Sequence, residues 1–353
     1  MSDSDNLIVE AVERIFQDLC DPQTVNNAKS DGWKAQLWEA LEESGLTLTW
    51  APEAVGGAGA GVVNGFEVLR VAGRYAVPVP LSETLLAGWL LGEAGIECPM
   101  GPMTVAPQQA RDRILLGDDG ALSGVARRVP FAGATDHIAV AVERNGAAHV
   151  ALVAAADCRI AGSESIAGDP MGDVDFAGVA PKAVVAASVT ADALQMMGAA
   201  SRAAMMAGAL EASLEISVQY AQERKAFGRL IGKFQAVQHN LARLGCEAAA
   251  AAAAYSSAAD AIAQSGGLEG DAILLEVASA KIRCGEAAGV GAAVAHQAHG
   301  AIGFTIEHVL HRFSRRMWAW RDEFGSESVW ARRLGEAVAR NGADALWPLV
   351  ASR

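Results

Sequence analysis

The sequence predicts an α+β protein, mainly α, in which helices come first, a small β unit follows and helices return. Three observations predict this. Apolar residues recur at helical spacing over 1–103, alternate in short glycine-punctuated runs over 104–188, and fill long Ala- and Leu-rich helical stretches over 189–353. Those spans are the expected domains. The order is not a strand–helix alternation, so a doubly wound parallel sheet is not expected.

Val9, Val12, Ile15 and Phe16 mark the first helix, and Trp33, Leu37, Trp38 and Leu41 mark another. "LTLTWAPEAVGGAGAG" then interrupts the pattern with Pro52 and a run of glycines, which makes a loop. A helix pair is expected across 62–75 and 81–95, separated by "VPVP". "HIAVAVERNGAAHVALVAA" places two alternating runs around Asn145-Gly146, a hairpin signal. The β block is short for a complete barrel. In the last domain the breaks fall at 265–270 and 300–304. The Ala run 248–254 suits close helix–helix packing, because Ala favours helix and lets backbones approach.

The chain has 353 residues and a formal net charge of -13. Such length buries a substantial core. Such charge argues against nucleic acid as the main partner, since phosphate backbones call for a basic face. A small anion can still be held by a few local cations. The cysteines Cys20, Cys98, Cys158, Cys246 and Cys284 are dispersed, so neither a zinc site nor a dithiol motif is indicated. They fit reduced thiols in a cytoplasm. The acidic N-terminus lacks the pattern of a signal peptide, and no apolar run reaches a membrane span.

Three stretches carry candidate chemistry. The glycines at 56–61 follow a helical segment, not the strand that a dinucleotide fingerprint needs, and read as a flexible loop. "QERKAFGRLIGKFQAVQHNLARL" (222–244) reads as a helix closed at Gly228, a turn, and a second helix striped by Phe234, Val237, Leu241 and Leu244. Arg224 has two readings: a planar fork gripping a phosphate, or a basic residue favoured at a helix C-terminus by the dipole. In "HQAHGAIGFTIEHVLHRF" (296–313), Gly300-Ala301 permits close approach of a ligand or of a neighbouring backbone. His296 and His299 read as ordinary polar residues, since no carboxylate partner is placed by spacing.

Together these stretches resemble the acyl-CoA dehydrogenase family along nearly the whole chain. "YAQERKAFGRLIGKFQAVQHNLARL" matches its R-x-x-F-G-x-x-I-x-x-F-Q signature. "GLTLTWAPEAVGGAGAG" is similar to its "PE..GG.G" segment, and "FGSESV" to "E-G-T-S-E-I". "QAHGAIGFTIEHVLHRFSRR" resembles Q-x-x-G-G-x-G-[YF]-T…R-x-x-R, with Ala301 for the second glycine and Arg316 where Asp is usual. The resemblance implies an N-terminal helical domain, a middle β domain and a C-terminal four-helix bundle, usually tetrameric. It implies FAD as cofactor, an acyl-CoA substrate and electron-transferring flavoprotein as acceptor. A carboxylate would take the α-proton while the flavin takes the β-hydride.

The chain departs from the family at the base. Aligned from Arg315, the usual position falls on Phe324, and the alternative position, counted back from Arg224, falls on Gly198. Glu247 and Glu323 are the nearby carboxylates, each a candidate for a relocated base or a solvated or ion-paired residue. The flavin-ring loop, T-E-P-x-x-G-S-D, and the Trp-Ile-Thr segment are not recognised, so the middle domain reads as pruned. What survives is the set that reaches a neighbour's FAD in the family: Arg224, Phe227, Gln235, Gln297 and Gly300. This resembles the degenerate subunit of heteromeric α2β2 acyl-CoA dehydrogenases of steroid degradation, paired with a second acyl-CoA dehydrogenase-like subunit. A self-sufficient homo-oligomer with a relocated carboxylate, and a non-enzymatic relative, are the alternatives.

Overall fold

The computed structural model describes residues 3–351. The chain forms two compact units. One takes in the chain up to Leu19, Asp31–Leu69 and Pro78–Ser201; the other takes in Cys20–Ser30, Arg70–Val77 and the chain from Arg202 on. The N-terminal helices are α1 (Asp3–Leu19), α2 (Pro22–Asn26), α3 (Trp33–Glu43), α4 (Val62–Arg74) and α5 (Leu81–Glu93). Val12 and Phe16, four apart, are fully buried on α1, and Leu37 and Leu41 repeat that spacing on α3, which packs against α1. The glycine-rich segment folds back on itself: Gly57 N donates to Pro52 O at 3.0 Å and Gly59 N to Ala51 O at 3.0 Å. It follows 3-10 turns, not a strand.

The β region holds β1 (Met103–Ala106), β2 (Leu115–Leu116), β3 (Leu122–Ser123), β4 (Val125–Pro130), β5 (His137–Arg144), β6 (Ala147–Ala154), β7 (Arg159–Glu164), β8 (Pro170–Asp175) and β9 (Ala183–Ala186). One sheet is mixed, ordered β3-β2-β5-β6-β9, with β1 running parallel beside β5. The other is antiparallel, ordered β4-β8-β7. β5 and β6 pair from His137↔Ala154 to Arg144↔Ala147. Their turn takes Asn145 to φ 52° and Gly146 to φ 80°, the left-handed pair that suits the strand twist. Ile138, Val140 and Val153 of the mixed sheet share a core with Ala126, Val129 and Val174 of the antiparallel one. Helix α5, buried from Leu81 to Leu91 apart from Trp89, lies against β1, β5 and β6.

The C-terminal region holds α6 (Ala191–Glu223), a miniature hairpin of β10 (Lys225–Ala226) and β11 (Arg229–Leu230), then α7 (Gln235–Ser265), α8 (Asp271–His299), α9 (Leu310–Asp322), α10 (Glu327–Asn341) and α11 (Ala343–Ala351). The sequence reading carried the first helix to Gly228. It ends instead at Glu223, because the left-handed pair Phe227-Gly228 turns the chain back as a hairpin.

Bundle packing depends on small residues. A Cβ on Gly208 of α6 would lie 1.9 Å from Arg70 O, and one on Gly73 of α4 would lie 2.1 Å from Met205 O. The two helices therefore touch backbone to backbone through reciprocal glycines. Gly291 of α8 faces Leu210 of α6 and Leu244 of α7. In the Ala run, Ala248 and Ala251 are buried, and Cys284 Sγ of α8 donates to Ala251 O at 3.5 Å. Among the described residues, no helix is long and apolar enough to cross a membrane.

Candidate functional site

At one end of the bundle the Phe227-Gly228 turn has φ 52° and 79°. Gly228 adopts this freely, whereas Phe227 carries strain of about 1–3 kcal/mol. Its ring is nevertheless 95% exposed. Inside this chain the ring's contact is edge-to-face with Phe234, at 6.2 Å between centroids. Arg224 N donates to Tyr220 O at 2.9 Å and Ile231 N donates to Arg224 O at 2.8 Å, which fixes its backbone. Its exposed guanidinium has no hydrogen bond or ion pair among the described residues. Gln235, also exposed, is the first residue of α7.

Gln297 is exposed on the last turn of α8, and Gly300 follows at φ 65° and ψ −145° with open space where a Cβ would be. Tyr220 stacks on His299 with ring centroids 4.5 Å apart. The final turns of α6 and α8 therefore touch. Arg224, Phe227, Gln235, Gln297 and Gly300 share one end of the bundle.

Beneath this end four imidazoles cluster. His299 lies 4.6 Å from His308, His296 stacks on Phe304 at 4.2 Å, and His311 Nδ1 bonds His308 O at 2.8 Å. His296 Nε2 meets Ser314 Oγ at 2.9 Å and His299 Nδ1 meets Ala295 O at 2.8 Å. His296 Nδ1 and His299 Nε2 are buried without a partner among the described residues. No group of described His, Cys, Asp and Glu side chains is arranged to hold a metal. Burial is the leading cause that lowers all four pKa values from the ordinary 6.5, with neighbouring imidazoles adding to it for His296 and His308 and arginines for His311. Folded protein thus binds fewer protons than unfolded chain below 6.5. The stability these groups allow is complete above that value and declines as pH falls through it. Thermal unfolding is expected to shift to lower temperature between about pH 8 and about pH 5, by less once His308 and His311 are replaced with Gln. An unchanged pH profile in that double variant would show the cluster is not the cause.

The two positions at which the resemblance places a base are Phe324 and Gly198. Phe324 is fully buried with φ 52°, its carbonyl accepting from Trp330 Nε1 at 2.9 Å. Gly198 is buried in α6. Glu323 is a buried ion-pair member: Arg202 Nε donates to its Oε2 at 2.6 Å, with Arg202 only 1% exposed and its guanidinium 5.4 Å from the Phe324 ring centroid. Lys281, also buried, donates to Trp320 O at 2.6 Å and Arg321 O at 2.9 Å, capping α9. Burial lowers its pKa to about 7, against the opposing pull of Glu323 and Glu327. Glu247 pairs with Arg283, away from the hairpin end.

The β1–β2 loop corrects one expectation. "V-A-P-Q-Q-A-R-D" keeps the Pro and final Asp of T-E-P-x-x-G-S-D at the same spacing, as Pro107 and Asp112. Ala110 and Arg111 stand for the Gly and Ser. The loop is tied down by bonds to β4 and α6. Asp112 is buried against Arg127, whose backbone N donates to it at 2.7 Å, and Gln195 Nε2 donates to Pro107 O at 3.0 Å. Beside it lies a cavity of about 300 Å³ reached by Arg113, Glu143, Thr190 and Asp192.

A family model described as the acyl-CoA dehydrogenase C-terminal domain matches residues 187–339. The chain is 28% identical to the acyl-CoA dehydrogenase FadE27 of Mycobacterium tuberculosis, with 94% of this chain and 96% of that one covered. Among solved structures, the ChsE4-ChsE5 complex from Mycobacterium tuberculosis superposes with TM-score 0.85 at 24% identity over 97% of this chain and 99% of that chain. The Tcur3481-Tcur3483 steroid ACAD gives 0.82 at 26% identity, over 96% and 98%. The chain is therefore similar to acyl-CoA dehydrogenases along nearly its whole length, with its C-terminal region matching their C-terminal domain.

Proposed function

We propose that this chain is the base-deficient subunit of a heteromeric acyl-CoA dehydrogenase and supplies half of a partner subunit's FAD site. The observation that carries the reading is an asymmetry. The outward-facing set around Arg224 is exposed and unengaged, while Phe324 and Gly198 fill the base positions with buried, non-ionisable groups. The residues fit an anionic dinucleotide. Arg224 offers an unopposed planar fork to a pyrophosphate, and Gln235 and Gln297 offer exposed amides. The open surface at Gly300 leaves room for an adenine or ribose. FAD, when bound, supplies the hydride acceptor for α,β-dehydrogenation of an acyl-CoA thioester to the 2-enoyl-CoA.

In this reading the present chain binds and orients, and the partner's carboxylate takes the α-proton. The names of the steroid ACAD and of the ChsE4-ChsE5 complex support a bulky, steroid-derived acyl group and a second acyl-CoA dehydrogenase-like subunit. Electron-transferring flavoprotein is the proposed acceptor. The test is the flavin absorbance and mass of the chain purified alone and co-expressed with an acyl-CoA dehydrogenase encoded beside it. A colourless chain alone and a yellow mixed oligomer are expected. A chain that is yellow alone, and bleached by an acyl-CoA, would overturn the reading.

A further inference from the structure

We propose that Arg229 is a positioning residue for the Arg224 half-site and acts through the ring of Phe234; the inference rests on the reading that this hairpin serves a partner's FAD. The hairpin has only two cross-strand pairs, Lys225↔Leu230 and Ala226↔Arg229. Ribbons that short do not hold their shape in water unaided. Something else must fix the direction in which Arg224 and Phe227 point.

The guanidinium of Arg229 lies over the Phe234 ring, 4.0 Å from its centroid. Phe227 meets the same ring edge-to-face, with centroids 6.2 Å apart at 82°. Arg229 has no ion pair or hydrogen bond from its side chain among the described residues, so the ring is what engages its charge. Phe234 is the N-cap of the 31-residue α7, in extended conformation at φ −89° and ψ 130°. The stack therefore joins three parts: the turn tip at Phe227, the returning strand at Arg229 and the start of a long helix. Gln238 Nε2 braces the same junction by donating to Gly232 O at 2.9 Å. Arg224 is coupled to this unit through the Ile231 N–H that its carbonyl accepts. An exposed cation over a half-buried ring contributes little energy, but here it selects one orientation of a segment with few other restraints.

The alternative role for Arg229 is a direct contact with phosphate, and the two are separable. Hydrogen exchange is measured at the Ile231 amide in the full-length chain, and FAD affinity by flavin fluorescence in the assembled oligomer. The variants are Arg229→Met, Arg229→Lys, Phe234→Leu and the double variant Arg229→Met/Phe234→Leu. Arg229→Met is expected to speed Ile231 exchange and weaken FAD binding, each about two- to five-fold, with unchanged thermal stability. Arg229→Lys, which keeps a cation over the ring, restores most of the loss. Phe234→Leu reproduces the effect, and the double variant is no worse than either single one. Unchanged exchange in Arg229→Met overturns the proposal, as does a double variant whose defects add in full. A wild-type oligomer without flavin counts against the shared-FAD reading, and the exchange result then decides on Arg229 alone.

Discussion

Glu323→Ala is expected to be the most destabilising single change in the C-terminal bundle, costing about 3–5 kcal/mol. The wild-type pair is buried on both sides, with Arg202 Nε and Glu323 Oε2 at 2.6 Å. Removing the carboxylate takes a 2.6 Å partner from a guanidinium that water cannot reach. It also removes one of the groups that hold Lys281 protonated against its own burial, so Lys281 moves further toward its neutral form. The measurement is the urea midpoint followed by circular dichroism, because the large value separates this pair from exposed ones worth less than about 1 kcal/mol. The control is Arg202→Met with Glu323→Leu, which removes both charges together and should recover much of the loss. A stable Glu323→Gln variant with abolished turnover would contradict a structural role and make Glu323 a base.

Arg224→Ala is expected to have the opposite profile. The side chain is exposed and engages no described residue, so unfolding should move by less than about 0.5 kcal/mol. FAD affinity of the assembled oligomer should fall about ten- to hundred-fold, the scale of a hydrogen-bonded charge contact. The dependence of that affinity on salt should also flatten, since one cation opposite the pyrophosphate is gone. Titration of the apo-oligomer with FAD at two ionic strengths reads both quantities. Wild-type affinity in the variant would remove Arg224 from the site.

Periodicity was enough to read α1, α3 and the β5–β6 hairpin from the sequence, because each buries one regular stripe or alternates around an unmistakable Asn-Gly turn. It failed at 224–230, where Arg224, Lys225 and Ala226 are all acceptable in helix. Only Phe227 at positive φ distinguishes the hairpin, and propensity places no bulky aromatic there. Arg224, Phe227 and Gln235 stand in one continuous stretch and Gln297 and Gly300 in another, and only the contact between the ends of α6 and α8 brings the two stretches to one end of the bundle. The Arg202–Glu323 pair was not legible, since its members stand 121 positions apart. The histidine cluster was not legible: His296 and His299 read as ordinary polar residues, and the approach of His308 to His299 and Tyr220 depends on how α6 and α8 end. Pro107 and Asp112 were missed because Gln, Ala and Arg displaced the small residues that usually make that loop recognisable.

The setting of Phe324 bears on evolutionary reversibility. A single change back to Glu at that position would place a second carboxylate in a dry interior beside a guanidinium already satisfied by Glu323. A working carboxylate at 324 would therefore need concerted changes at 202, 323 and 324. Under the proposed division of labour this makes a ratchet: with the base on the partner, drift in this chain would have no short path back to independence.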